Sequence, residues 1–228
     1  KSIAFTGMEV GTDYTLYKGG TQQTHSDPAN KTFAVSTAGL NAFTNVKDYV
    51  ETTTDITADI SKGTIIVEDG TNTDTIKVTY NDGVVGKTDD NLPMNTKITI
   101  KGTTTSNTVI VNTAEKLSDH TTSKTVNITL EDVNIAVSVN DYSAFDIQGN
   151  SNVTLTLKGT NTLKSRFGNA GLQVQTKDGK TATVTIDGTG TLNATGDSGS
   201  TAGGAGIGSG RYEKGGNIII IGGKVVAT

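Results

Sequence analysis

Aliphatic and small polar residues alternate in short runs over most of this 228-residue chain. Thr64-Ile-Ile-Val67, Thr75-Ile-Lys-Val-Thr79, Lys97-Ile-Thr-Ile100, Thr108-Val-Ile-Val111, Val126-Asn-Ile-Thr-Leu130, Ile135-Ala-Val-Ser-Val139, Val153-Thr-Leu-Thr-Leu157 and Thr183-Val-Thr-Ile186 are bounded by Gly, Asn, Asp or Ser. A period of two puts Val, Ile and Leu on one face and Thr and Asn on the other, which predicts half-buried strands. No 3.6-residue stripe persists. Only residues 41–50, around Phe43 and Val46, suit a helical turn or two.

A phrase also repeats: Leu157-Lys-Gly159-Thr-Asn-Thr-Leu163, Ile186-Asp-Gly188-Thr-Gly-Thr-Leu192 and Ile220-Ile-Gly222-Gly-Lys-Val-Val226, with a weaker copy from Leu130 to Ala136. Copies begin 27 to 34 residues apart, close to the length of one coil of a stacked β-structure. The glycine after each aliphatic strand suits a tight corner. The chain is therefore expected to be all-β. Residues 56–228 form a right-handed parallel β-helix, with Leu157, Ile186 and Ile220 stacked in successive coils. Residues 1–55 lack the repeat and form an N-terminal β-rich segment that caps or flanks the helix. Within it, Phe5 to Leu16 reads as two strands joined by a turn, and residues 19–31 as a polar loop. Asp69-Gly70 and Asp82-Gly83 are hairpin signals, so the first half pairs antiparallel in part; Asp178-Gly179 is the clean signal later on. In Gly203-Gly-Ala-Gly-Ile-Gly-Ser-Gly210, Ala205 and Ile207 are expected to point inward. The absence of Gly-Lys-Ser/Thr argues against a phosphate loop. The stack needs both ends covered, so the natural protein is expected to continue past Thr228 or to be closed there by a second subunit.

Composition narrows the chemistry. A net charge of -4 and two arginines, Arg166 and Arg211, leave no electrostatic footprint for nucleic acid. There is no cysteine, so stability rests on repeated pairing and stacking. No apolar run near 20 residues suggests a membrane helix. The two histidines, His25 and His120, stand far apart in polar contexts, which disfavours a triad or a histidine metal centre. Hydrolysis of a glycosidic bond needs paired carboxylates, and Asp89-Asp90 and Asn72-Thr-Asp74 read as polar turns. A polysaccharide lyase needs a cation and a base; Lys158, Lys164, Arg166 and Lys177 supply charge, without a tight cluster.

Thr189-Gly-Thr-Leu-Asn-Ala-Thr-Gly196, Gly204-Ala-Gly-Ile-Gly-Ser-Gly210 and Ile219-Ile-Ile-Gly-Gly-Lys-Val-Val-Ala-Thr228 resemble a pattern of clostridial and gut-bacterial surface proteins known as carbohydrate-binding domain-containing proteins. The resemblance is firm over about residues 125–228 and fair back to about residue 60. It implies a β-helix like that of polysaccharide lyases, calcium sites, secretion or cell-surface display, and binding of acidic polysaccharide without cleavage. The opening of the chain, Ile3 to Gly20, resembles a phrase that this family carries near its C-terminal end.

Candidate site residues follow from both lines. Calcium wants six to eight oxygen ligands, and Asp146, Asp187, Glu131 and Asp141, with Asp132 beside Glu131, lie on turns of adjacent coils; ordinary solvated turn carboxylates are the competing reading. By alternation, Asp146 sits on the outer face, between inward Phe145 and Ile147. For a glycan, Tyr142, Phe145, Phe167, Tyr212, Lys164 and Arg166 are the candidates. Without tryptophan, stacking on a neutral crystalline polymer is poorly served. The same Tyr and Asn residues at loop tips also suit an adhesin that binds a host or bacterial protein.

Overall fold

The computed structural model describes residues 14–18, 21–22, 43–47, 55–113, 125–138, 142–197 and 203–228. Contacts divide the chain into two units, residues 1–52 and 53–228. In the first unit, β1 (Tyr14–Lys18) pairs antiparallel with both β2 (Thr21–Gln22) and β3 (Phe43–Lys47). Residues 43–47 are thus a strand where a helical turn was expected, and residues 21–22 are a strand inside the expected polar loop. A period of two and a period of 3.6 are hard to separate in so short a run. Residues 5–13 lie outside the described residues.

The second unit is a right-handed parallel β-helix. Its first coil carries β4 (Ile56–Asp59) and β5 (Ile65–Asp69), then an antiparallel excursion, β6 (Thr75–Asn81) and β7 (Gly86–Pro93). The next coils are β8 (Lys97–Lys101), β9 (Thr103–Thr104), β10 (Val109–Thr113), then β11 (Thr125–Glu131), β12 (Asn134–Ala136), β13 (Phe145–Gly149). They continue as β14 (Asn152–Lys158), β15 (Thr160–Lys164), β16 (Leu172–Lys177) with the side strand β17 (Lys180–Thr181), and as β18 (Thr183–Gly188), β19 (Thr191–Thr195), β20 (Ile207–Gly208). The side strand β21 (Lys214–Gly215), β22 (Asn217–Ile220) and β23 (Lys224–Ala227) complete the described chain. The first sheet is β22-β18-β14-β11-β8-β4 and the second β23-β19-β15-β12-β9, all parallel. The third sheet contains β5, β10, β13, β16 and β20 in parallel, extended by the antiparallel strands. Asp69-Gly70, Asp82-Gly83 and Asp178-Gly179 each lie in a link between antiparallel neighbours.

Alternation decides which side chains fill the coil. Ile56, Ile98, Ile128, Leu155, Ile186 and Ile220 form one inward column, and Ile65, Val109, Phe145, Leu172 and Ile207 another. All of these except Ile207 and Ile220 are buried. Each fully buried aliphatic contributes about 1.5–3 kcal/mol, and parallel stacking lets each interior coil share its column with two neighbours.

The register differs from the expected one. Leu157 pairs with Leu130 and with Gly188, whereas Leu155 is the partner of Ile186, which in turn pairs with Ile220. Leu157, Ile186 and Ile220 therefore do not form one column. In the glycine run, Ile207 joins the column of Leu172 and is partly buried, but Ala205 is exposed. The glycines there permit close approach instead: a Cβ at Gly204 would overlap the Asn169 carbonyl, and one at Gly206 the Ala194 carbonyl. Among the described residues, no helix is long and apolar enough to cross a membrane.

Candidate functional site: a cleft on the third sheet

Outward positions of the third sheet gather amides and hydroxyls. Ile110, Asp146, Gln173 and Gly208 share one outward row, and Asn112 lies opposite Gln148 in the next. Two depressions meet at Gln148. One, of about 260 Å³, is lined by Asn112, Gln148, Gln175, Lys177, Asp178 and Lys180. The smaller, of about 100 Å³, is lined by residues that include Thr108, Tyr142, Asp146, Gln148, Asn169 and Gln173. The hairpin of β16 and β17, turning at Asp178 and Gly179 with φ of 52° and 76°, forms one wall. These left-handed angles are those of a two-residue hairpin turn, which Asp-Gly adopts at little strain.

Asp146 is the half-buried carboxyl of this cleft. Gln148 Nε2 donates to its Oδ2 at 2.5 Å and Gln175 Nε2 to its Oδ1 at 2.9 Å. Burial pushes its carboxyl above the ordinary value. The two amide hydrogen bonds pull the other way, the negative charge of Glu213 adds to the rise, and Lys177 opposes it. Behind it, Ser143 Oγ donates to Gln173 Oε1 at 2.7 Å, and the Ala170 N–H donates to the same oxygen at 3.3 Å. Hydrogen bonds thus tie the floor together, while Asn112, Lys177 and Tyr142 stand at its edges.

The structure separates the carboxylates that the sequence grouped. Asp146 is on the third sheet, while Glu131 and Asp187 belong to strands of the first. Glu131 forms an ion pair with Lys101 at 3.3 Å, and Asp187 Oδ1 accepts the Gly188 N–H at 2.7 Å. Asp132 adopts φ 54° and caps the Thr160 N–H at 2.9 Å. Asp141 lies outside the described residues. Among the described residues, no group of three or more His, Cys, Asp or Glu side chains converges on a metal position. Asp146 is thus set on a different sheet from Glu131 and Asp187, which share one.

Of the glycan candidates, Tyr142 lines the cleft and is half exposed. Phe145 is fully buried, facing the core by the same alternation that turns Asp146 outward, so it does not reach a ligand. Lys164 is exposed on the second sheet. Arg166, Phe167 and Tyr212 are exposed at the corner that follows it. The sequence reading missed Asn112, Gln148, Gln173 and Gln175. Their signal was present as amides at outward positions of consecutive coils, but it requires the register to be seen. No protein-family model, no curated protein and no solved structure matches the chain. What is established is a parallel β-helix of the general shape of lyase-like β-helix proteins.

Proposed function

We propose that this domain is an extracellular carbohydrate-binding module that holds a polysaccharide along the outer face of the third sheet without cleaving it. The observation that carries this reading is the amide- and hydroxyl-lined cleft that crosses adjacent coils around Gln148. Side-chain amides on a rigid sheet match the alternating donors and acceptors of sugar hydroxyls. Lys177 and Lys180 at one end favour a carboxylate-bearing chain. Catalysis by a carboxylate pair is less well served, because the two cleft carboxylates differ in setting: Asp146 is clamped by two amides and Asp178 sits in a turn. Calcium enters the same reading as an ion bridging Asp146 to a sugar carboxylate.

Affinity electrophoresis in gels containing polygalacturonate or a neutral glucan tests it. Retardation is expected with polygalacturonate. Asn112→Ala and Lys177→Ala should each weaken it about tenfold, the usual effect of losing one well-placed polar contact. EDTA should weaken it further if the ion takes part. Free passage through every gel would refute glycan binding, and accumulation of unsaturated product or reducing ends would make the domain an enzyme.

A further inference from the structure

A second surface adjoins the smaller depression at Asn169 and holds both arginines of the chain. The turn 166–169 closes with the Asn169 N–H donating to the Arg166 carbonyl at 3.2 Å, and its central residues, Phe167 and Gly168, adopt φ of 60° and 82°. Such a turn normally takes Asn-Gly; here a phenylalanine occupies the strained place. On the following coil, the turn 210–213 closes from Glu213 N–H to Gly210 O at 3.3 Å, with Tyr212 at φ 61°. Glycine is the usual residue there. Two bulky aromatics in the left-handed region within one patch are well outside ordinary preference.

The patch is firmly built. The Arg211 N–H donates to the Gly168 carbonyl at 2.7 Å, and Asp197 Oδ2 accepts the Gly168 N–H at 2.9 Å. The Arg211 side chain lies over Gly168, so that a Cβ there would overlap it. Yet the groups displayed are left in solvent: Phe167 is 50 % exposed, Tyr212 is 90 % exposed, and Arg166 and Arg211 are exposed. The Arg166 guanidinium stands 5.8 Å from the Phe167 ring centre. Neither ring contributes to the core, so core packing does not account for the strain. Backbone strain held by surrounding bonds points to a task for the side chain it presents.

We infer that Arg166, Phe167, Arg211 and Tyr212 form a docking site for an acidic segment of a partner protein. Tyr and Arg are the residues that dominate protein–protein hot spots, and paired guanidiniums beside rings select carboxylates flanked by apolar side chains. Of the carboxylates beside the site, Asp197 is taken up by the Gly168 N–H and Glu213 acts on Asp146 in the cleft, whereas neither guanidinium has an ion-pair partner among the described residues. This inference does not depend on the glycan cleft.

Selection of a phage-displayed random-peptide library on the immobilised protein tests it. Peptides with Asp or Glu next to aliphatic or aromatic residues should be enriched. Their binding should weaken about tenfold or more in Arg166→Ala/Arg211→Ala and fall with added salt. Phe167→Gly and Tyr212→Gly supply the control against misfolding: they relieve the strained φ, so melting temperature should hold or rise while peptide binding is lost. Absence of an acidic motif, or retention of the same peptides by the double arginine variant, would overturn the assignment. So would loss of polygalacturonate retardation in that variant without any peptide enrichment, which would give the patch to the glycan.

Discussion

Asn161 lies fully buried at the corner between the first and second sheets and ties three coils together. Its Oδ1 accepts the Val133 N–H at 3.0 Å, and its Nδ2 donates to the carbonyls of Lys158 and Thr191 at 3.0 and 3.2 Å. Asn161→Ala strands buried backbone groups on both neighbouring coils and should cost about 2–4 kcal/mol in chemical denaturation. Asn161→Asp keeps the acceptor but loses both donors, so it should not rescue the loss. Asp146 has the opposite effect on stability. Its folded pKa is raised, so the native state holds this proton more tightly than the unfolded chain does. The stability from that proton is fully present below the ordinary carboxylate value of about 3.9. It is lost as pH rises through the raised folded value. Asp146→Asn should flatten that part of the pH–stability curve and be at least as stable as the parent at neutral pH. Parallel curves for the two proteins would remove Asp146 from the account. At this scale the sequence was informative about orientation but not about partners. Alternation was enough to place Asp146 outward, whereas its clamp by Gln148 and Gln175 depends on which coil lies beside which.

Strands were legible because a half-buried strand writes its own period into the chain, and the runs at 75–79, 97–100 and 153–157 fall inside β6, β8 and β14. Coil register was not legible, because corners differ in length while looking alike. Gly159 and Gly188 occupy the same place in the repeated phrase but do different work. Gly159 turns the chain at φ 64° after β14, whereas Gly188, at φ 103°, is still paired with Leu157 at the end of β18. Aligning the two glycines shifts the expected column by two residues, which preserves the inward face and hides the error. The structural role of Gly188 gives a direct test. A Cβ there would overlap the Leu157 backbone, and the residue lies in the left-handed region. Gly188→Ala should therefore destabilise by about 2–4 kcal/mol, combining backbone strain with overpacking. Gly179, also at positive φ but with open space around it, should lose only the strain contribution. Thermal melts of the two alanine variants separate these effects, and equal shifts would show that close packing between coils at Gly188 is not limiting.

Across the whole β-helix unit, stability is built between neighbours along one axis, so the cost of a core truncation should depend on where in the stack it falls. Leu155 is fully buried, with Ile128 on one side and Ile186 on the other. Ile220 is in the same column but 52 % exposed, in contact with the coil of Ile186. Leu155→Ala removes contacts to two coils and leaves a closed cavity, for an expected loss of about 2–5 kcal/mol. Ile220→Ala removes contacts to one coil and leaves a site that water already reaches, so its cost should be about half of that or less. In a stack held by nearest-neighbour terms, the coil of β22 and β23, whose aliphatic side chains are mostly exposed, can also open before the middle ones. Hydrogen exchange should then show Ile220→Ala increasing opening in residues 217–227 alone, and Leu155→Ala lowering protection on both sides of β14. Equal costs for the two variants, with one uniform loss of protection, would mean that the coils unfold as a single cooperative body. In that case the cleft of the third sheet and the arginine corner would share one stability, and no ligand at either could order its own coils independently of the rest.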